Sequence, residues 1–197
     1  MKSTSLIILV IVGAILLLVG CGGCSGYNKM VGLDENVKAK WANVQSDYQR
    51  RSDLIPNLVN TVKGAAKFEQ ETLTQVVEAR AKATSMNINP ADLTPENMAK
   101  FQAAQGELSG ALGRLLVSVE RYPELKANQN YLDLQKQLEG TENRIKVSRN
   151  DFNTSVQEYN QTVRSFPNNL FAGMFKFQVR QPFQSDPGSE KAPSVQF

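Results

Sequence analysis

Apolar residues recur along this chain at alternating intervals of four and three. The first series reads Val37, Trp41, Val44, Tyr48, position 51, Ile55, Leu58, Val62 and Ala65, then position 69, Leu73, Val76, position 80 and Ala83. Residues three and four apart share one face of a helix, so this spacing predicts a long apolar stripe. A second series, Met98, Phe101, position 105, Leu108, Leu112, Leu115, Val119 and Tyr122, follows a polar loop over Met86–Pro95. The third comprises Tyr131, Leu134, Leu138, position 142, Ile145, position 149, Phe152, Val156, Tyr159, Val163 and Phe166. No run of alternating β-branched residues argues for a strand. The pattern predicts an all-α fold over residues 27–167, an elongated antiparallel bundle of three to four long helices, standing after an N-terminal membrane anchor.

Prolines punctuate the stripes. Pro56 lies inside the first one, where a proline deletes a backbone hydrogen bond and costs about 3 kcal/mol. The first helix is therefore expected to be kinked or broken near Pro56, and kinked by preference because the stripe keeps its phase. Thr94 as N-cap with Pro95 behind it predicts a helix start. Pro123 separates the second tract from the third, and Pro167-Asn168-Asn169 ends the third. A first tract over residues 28–86 would outrun its neighbours, leaving part of it uncovered unless it breaks at Pro56 or pairs with another copy of the chain.

Residues 1–26 form the anchor. Leu6–Val19 are uninterruptedly apolar or small, and the uncharged stretch extends to Gly26. One expectation is a retained transmembrane helix, placing the protein in the bacterial cell membrane as a single-pass protein. The other comes from Leu18-Val19-Gly20-Cys21, which resembles the lipobox of bacterial lipoproteins, with Cys21 as the acylated residue and the body lipid-anchored in the cell envelope.

Charge and chemistry narrow the function. There is no histidine, which removes the commonest general base and the usual His/Cys zinc sites. Residues 27–197 carry 21 Lys+Arg, all but Lys2 of the chain's 22, against 19 Asp+Glu, with the signs interspersed. No nucleic-acid partner is expected from that balance. Arg51, Glu69, Arg80, Glu142 and Arg149 fall where the rhythm calls for apolar residues, with Gln105 alongside. They read either as a buried ionic network that fixes helix register or as a charged centre in which Glu69 or Glu142 does acid/base work. Trp41 reads as core. Residues 168–184 are rich in aromatics, and Phe171, Phe175 and Phe177 are candidates for contact with a membrane or a protein partner. The other possibility is that this segment folds back and caps the bundle. Residues 185–197 read as a disordered tail.

The run Gln49-Arg50-Arg51-Ser52-Asp53-Leu54-Ile55-Pro56-Asn57-Leu58-Val59, with Val76-Val77-Glu78-Ala79-Arg80, Tyr122-Pro123-Glu124-Leu125-Lys126-Ala127-Asn128-Gln129-Asn130, Leu138-Glu139-Gly140-Thr141-Glu142-Asn143-Arg144-Ile145 and Ser165-Phe166-Pro167, resembles the LemA family. The resemblance implies a bacterial protein with one N-terminal membrane segment, an all-helical body on the cytoplasmic side, no assigned catalytic residues and no cofactor. The functional expectation is a membrane-tethered, non-enzymatic scaffold acting through an unidentified protein partner and self-association. An exported lipoprotein adaptor is the alternative, and a carboxylate-based enzyme the remote one.

Overall fold

The computed structural model describes the backbone of residues 2–64 and 69–184, and the side chains of those residues from 23 onward. Every regular element among them is helical. They are α1 (Lys2–Lys63), α2 (Gln70–Ser85), α3 (Pro95–Val119), the single turn α4 (Pro123–Lys126), α5 (Gln129–Arg164) and the short α6 (Asn168–Met174). At about 1.5 Å per residue, α1 is roughly 93 Å long and α5 about 54 Å, so the bundle is elongated. Chain direction alternates. Lys40 on α1 pairs with Asp151 on α5 at 2.9 Å and Arg51 with Glu142 at 2.8 Å, which sets α5 antiparallel to α1. Lys82 with Glu107, and Glu69 with Arg121, set α3 antiparallel to α2.

The helix neither breaks nor ends at Pro56. α1 continues through it to Lys63, and the chain reverses after Gly64 instead. The proline leaves the carbonyl of Ser52, four residues earlier, without its helical donor. Arg80 Nε on α2 donates to that carbonyl at 2.8 Å. A side chain from the neighbouring helix thus replaces the missing backbone bond. What reads as one tract over residues 28–86 is two antiparallel helices. That removes the length mismatch behind the expected pairing with a second copy.

Helix starts follow their capping residues. Thr94 Oγ1 accepts from the backbone N–H of Asn97, behind Pro95. Asn128 Oδ1 accepts from the N–H groups of Asn130 and Tyr131 to open α5.

The core has two parts. A near half gathers Met30, Val37, Trp41, Val44 and Tyr48 of α1, Ile88 and Leu93 of the loop before α3, Met98 and Phe101 of α3, and Ile145–Val163 of α5. The far half gathers Ile55–Val62, Leu73–Ala83, Leu108–Val119, Leu125, Tyr131 and Leu138. The stripes hold on α1 up to Val62 and on α3 up to Val119. On α5 the stripe holds at Tyr131, Leu138, Ile145, Phe152, Val156, Tyr159 and Val163 and shifts by one at two places. Thr141 and Ser148 are buried where positions 142 and 149 were expected. Their hydroxyls donate to Gln137 O and Ile145 O of their own helix, so burying them orphans no polar group. A charge at the same depth would need an outside partner.

The segment after α5 folds back on the body. Gly23 and Gly26 of α1 let α6 approach closely: a Cβ on Gly23 would lie 2.8 Å from the Phe171 ring, and one on Gly26 2.5 Å from Asn168 Oδ1. Residues 177–184 then run back along α5 as an extended strap. Among the residues whose side chains are described, no helix is long and apolar enough to cross a membrane. Leu6–Val19 and Cys21 lie outside those residues, as does the tail over 185–197.

Candidate functional site

Between the two core halves lies a polar layer centred on Arg51, which is 1% exposed. Its Nη1 donates to Glu142 Oε1 and to Ser109 Oγ, both at 2.8 Å. Its Nη2 donates to Gln105 Oε1 at 2.6 Å, and the guanidinium lies 5.0 Å from the centre of the Tyr48 ring. Gln105 in turn donates from Nε2 to Ala83 O at 3.3 Å. One arginine thereby joins α1 to α3 and α5, and through Gln105 to α2. Tyr48, Arg51, Gln105, Ser109, Glu142 and Arg149 line a 610 Å³ cleft over this layer.

Of the five charged residues expected to be buried together, only Arg51 is. Glu142 contacts it from the rim, with its side chain 47% exposed. Arg80 is half-buried beside the layer, where it serves the Ser52 carbonyl. Arg149 is also half-buried: it lies over the Phe183 ring at 4.7 Å and donates to Gln184 O. Glu69 is elsewhere. It sits exposed at the start of α2, paired with Arg121 at 2.7 Å and accepting from Ser118 Oγ at 3.1 Å. For Arg80, Glu142 and Arg149 the correction has one cause. Where two registers fit the same spacing, the small residues Ala79, Thr141 and Ser148 take the core positions and their charged neighbours move to the rim.

The aromatic segment divides. Phe171 and Phe177 pack against the near half of the core, whereas Phe175 is 50% exposed and touches Tyr27 edge-on. The anchor of the strap is Phe183, which is buried among Trp41, Phe101 and Phe152. Two asparagines clamp the strap's backbone. Asn160 accepts from Arg180 N and donates to Arg180 O, both at 2.8 Å, and Asn153 does the same with Phe183 at 2.8 and 3.3 Å. Arg180 also pairs with Asp34 on α1 at 2.9 Å. These residues carry no motif. The sequence signal that could find them is the seven-residue interval between Asn153 and Asn160, which sets two amides on one side of α5.

The arrangement suits holding more than reacting. Both terminal nitrogens of Arg51 are engaged by protein groups, and Glu142 is committed to Arg51. The carboxyls held below the usual range are elsewhere: Glu69, through hydrogen bonds from Ser118 and then Arg121, and Glu96, through Lys100. Burial raises the phenols of Tyr131 and Tyr159, which keeps them neutral at physiological pH.

The LemA family model matches residues 40–197, which takes in α1 beyond the first buried stripe residues, the whole polar layer and the strap. The chain belongs to the LemA family. Among its relatives, the magnetosome protein MamQ 2 of Paramagnetospirillum magneticum is 26% identical over 181 residues, covering 83% of this chain and 66% of the relative. MamQ of Magnetospirillum gryphiswaldense is 26% identical with the same coverage. Protein LemA of Metamycoplasma hominis is 22% identical over 129 residues, covering 66% of this chain and 55% of the relative. The chain thus spans just under two thirds of the magnetosome proteins it matches. This LemA-family body places the signature arginines, Arg51 and Arg80, at the joint between its four main helices.

Proposed function

We propose that this LemA-family chain is a membrane-tethered, non-enzymatic helical scaffold that works through protein contacts at the bacterial membrane. The observation that carries this is the continuity of α1: Lys2–Lys63 is one helix, so the apolar run Leu6–Val19 and the core residues Met30–Val62 belong to a single rod. A rod of that kind holds the body at a fixed height and angle, which serves the presentation of a surface. The polar layer supports the same reading, because both terminal nitrogens of Arg51 are engaged by Glu142, Ser109 and Gln105. Relatives named as magnetosome proteins extend the proposal to the assembly of a cellular structure rather than to metabolism.

Alkaline carbonate washing of membranes from cells expressing the full chain tests the tether. The protein is expected to stay with the pellet, and a variant lacking residues 1–26 to leave it. Release of the full chain would overturn the proposal. Crosslinking in the same membranes, followed by mass spectrometry, then identifies the protein partner. The lipoprotein form of the tether, favoured by Leu18-Val19-Gly20-Cys21, predicts an intact mass that lacks residues 1–20 and carries added acyl chains.

A further inference from the structure

The strap and α6 bury one side of the C-terminal segment and leave a second apolar side outward. Phe166 is 81% exposed, Leu170 62% and Met174 72%. Leu170 and Met174 are one turn apart on α6, while Ala172 and Phe171 face the bundle. A lone exposed apolar residue needs no explanation, but three large ones within nine residues form a patch.

Its position identifies what covers it. α6 lies against α1 at Gly23 and Gly26. These glycines are four and seven residues past Val19, where the apolar run ends, or about 6 to 10 Å along the helix. The headgroup layer of a bilayer occupies roughly that distance beyond its hydrocarbon core. Charge agrees. Between Glu158 and Asp186 the only charged residues are Arg164, Lys176 and Arg180, all basic. Arg180 is spent on Asp34, but Arg164 and Lys176 are exposed, as is Lys29 at the same level of α1. An apolar face flanked by exposed cations is the composition of an interfacial contact with anionic lipid.

We propose that α6 lies on the bilayer surface beside the emerging α1, with Phe166, Leu170 and Met174 at the boundary between headgroups and acyl chains and with Arg164, Lys176 and Lys29 among anionic headgroups. The proposal rests on the tethered reading above. It moves the membrane contact from Phe171 and Phe177, which pack half-buried against the bundle, to the residues around them. The body would then touch the membrane at two places and could not swivel about α1.

Photolabelling of the full chain tests this. The probe is vesicles of phosphatidylcholine with a minor fraction of phosphatidylglycerol, doped with a phospholipid that carries a diazirine near the top of one acyl chain. Trypsin conveniently separates residues 3–29, 165–176 and 115–121. The last of these contains Val117, which is 71% exposed in the far half of the body and serves as the reference. Lipid adducts are expected on 3–29 and on 165–176, the latter about tenfold above 115–121. In Leu170→Ser/Met174→Ser, adducts on 165–176 are expected to fall to the reference level while those on 3–29 persist. Both residues are exposed, and an unchanged thermal melt will confirm that the fold is intact. Adducts on 3–29 alone would overturn the surface contact and leave the tether standing; this is also the outcome if a second copy or a partner protein covers the patch. Adducts on neither peptide would overturn the tether and this proposal with it. Equal labelling of all three would overturn the proposal as well.

Discussion

Every buried side chain of the far core half comes from residues 55–83 and 108–138, which fold as α1's end, α2, the later part of α3, α4 and α5's start. The near half draws on residues 30–48, on 88–101 and on 145–183, and so closes the two ends of the body onto each other. The chemistry differs as well. Far-half residues are mostly leucine, valine, isoleucine and alanine, whereas the near half stacks Trp41, Tyr48, Phe101, Phe152, Tyr159 and Phe183. Each half matches how its parts meet. Consecutive helices need only interlocking aliphatic ridges, because their connections already hold them close. Segments more than a hundred residues apart bear a larger closure entropy, and large aromatic surfaces offset more of it per residue.

If that contrast is real, the near half is separable from the far half. The largest expected effect comes from Trp41→Ala. Trp41 is fully buried, contacts three phenylalanines and donates from Nε1 to Ile88 O at 3.2 Å. Its truncation should cost about 4 kcal/mol. Hydrogen exchange of the full chain in detergent is expected to show lost protection over residues 37–48 and 145–163, with residues 55–62 and 108–119 retained. Uniform loss across both halves would show them to be one cooperative unit and break the comparison.

Arg51 sets the seam, and the next test concerns it. Arg51→Ala leaves a cavity and strips Gln105 Oε1 of its donor, at a cost of about 3 kcal/mol. Arg51→Met with Glu142→Gln refills the volume and discards an ion pair that solvent already screens on the Glu142 side, but it strips Gln105 Oε1 of its donor as well, so about 2 kcal/mol is expected. Urea titrations of the two variants check the difference. Equal losses would mean that the charge itself, and not the filling of the seam, joins the halves.

The strap offers a smaller perturbation. Asn153→Ala and Asn160→Ala each remove a paired amide clamp, worth about 1 kcal/mol apiece. Because Phe183 stacks on Trp41 with ring centres 5.9 Å apart, release of the strap should change the fluorescence of the single tryptophan before the body unfolds. Release coincident with global unfolding would tie the strap to the whole core.

The same contrast governs what could be read from sequence. Stripes on α1 and α3, the Thr94 cap and the all-helical class were legible, since each is a local pattern of apolar spacing or capping chemistry. The break after Gly64 was not. Positions 62, 69, 73 and 76 keep the rhythm across a reversal, so two helices read as one tract, and the donor that rescues Ser52 O beside Pro56 sits on another helix. Burial of the charged residues was misread wherever a small neighbour could take the core position, as Thr141 does beside Glu142. Gly23 and Gly26 carry no stripe signal, yet they form the surface on which α6 packs. Backbone clamps such as Asn153 escaped because they recognise the chain rather than a particular side chain.

The smallest effect distinguishes the two ends by pH. In the far half, hydrogen bonds from Ser118 and Arg121 lower the Glu69 carboxyl below its ordinary 4.5. A depressed acid contributes stability above its unfolded value, and that contribution is lost as the pH falls through the folded one. In the near half, Glu35 and Asp34 raise Lys38 above 10.5, so its contribution is full below that value and is lost as the pH rises through the folded one. Acid should therefore loosen the Glu69 end, and alkali the Lys38 end. Glu69 is exposed and the Lys38 side chain is 33% exposed, so solvent screening keeps the effects slight and the measurement has to be differential. Exchange protection around Ser118, compared between the natural chain and Glu69→Gln, is expected to converge below pH 4.5 and to diverge above it. Lys38→Gln should leave that comparison untouched, because its partners Asp34 and Glu35 belong to the other end of α1. If Lys38→Gln shifts the Ser118 region in step with Glu69→Gln, the two ends communicate through α1, and the halves of the core differ in composition but not in independence.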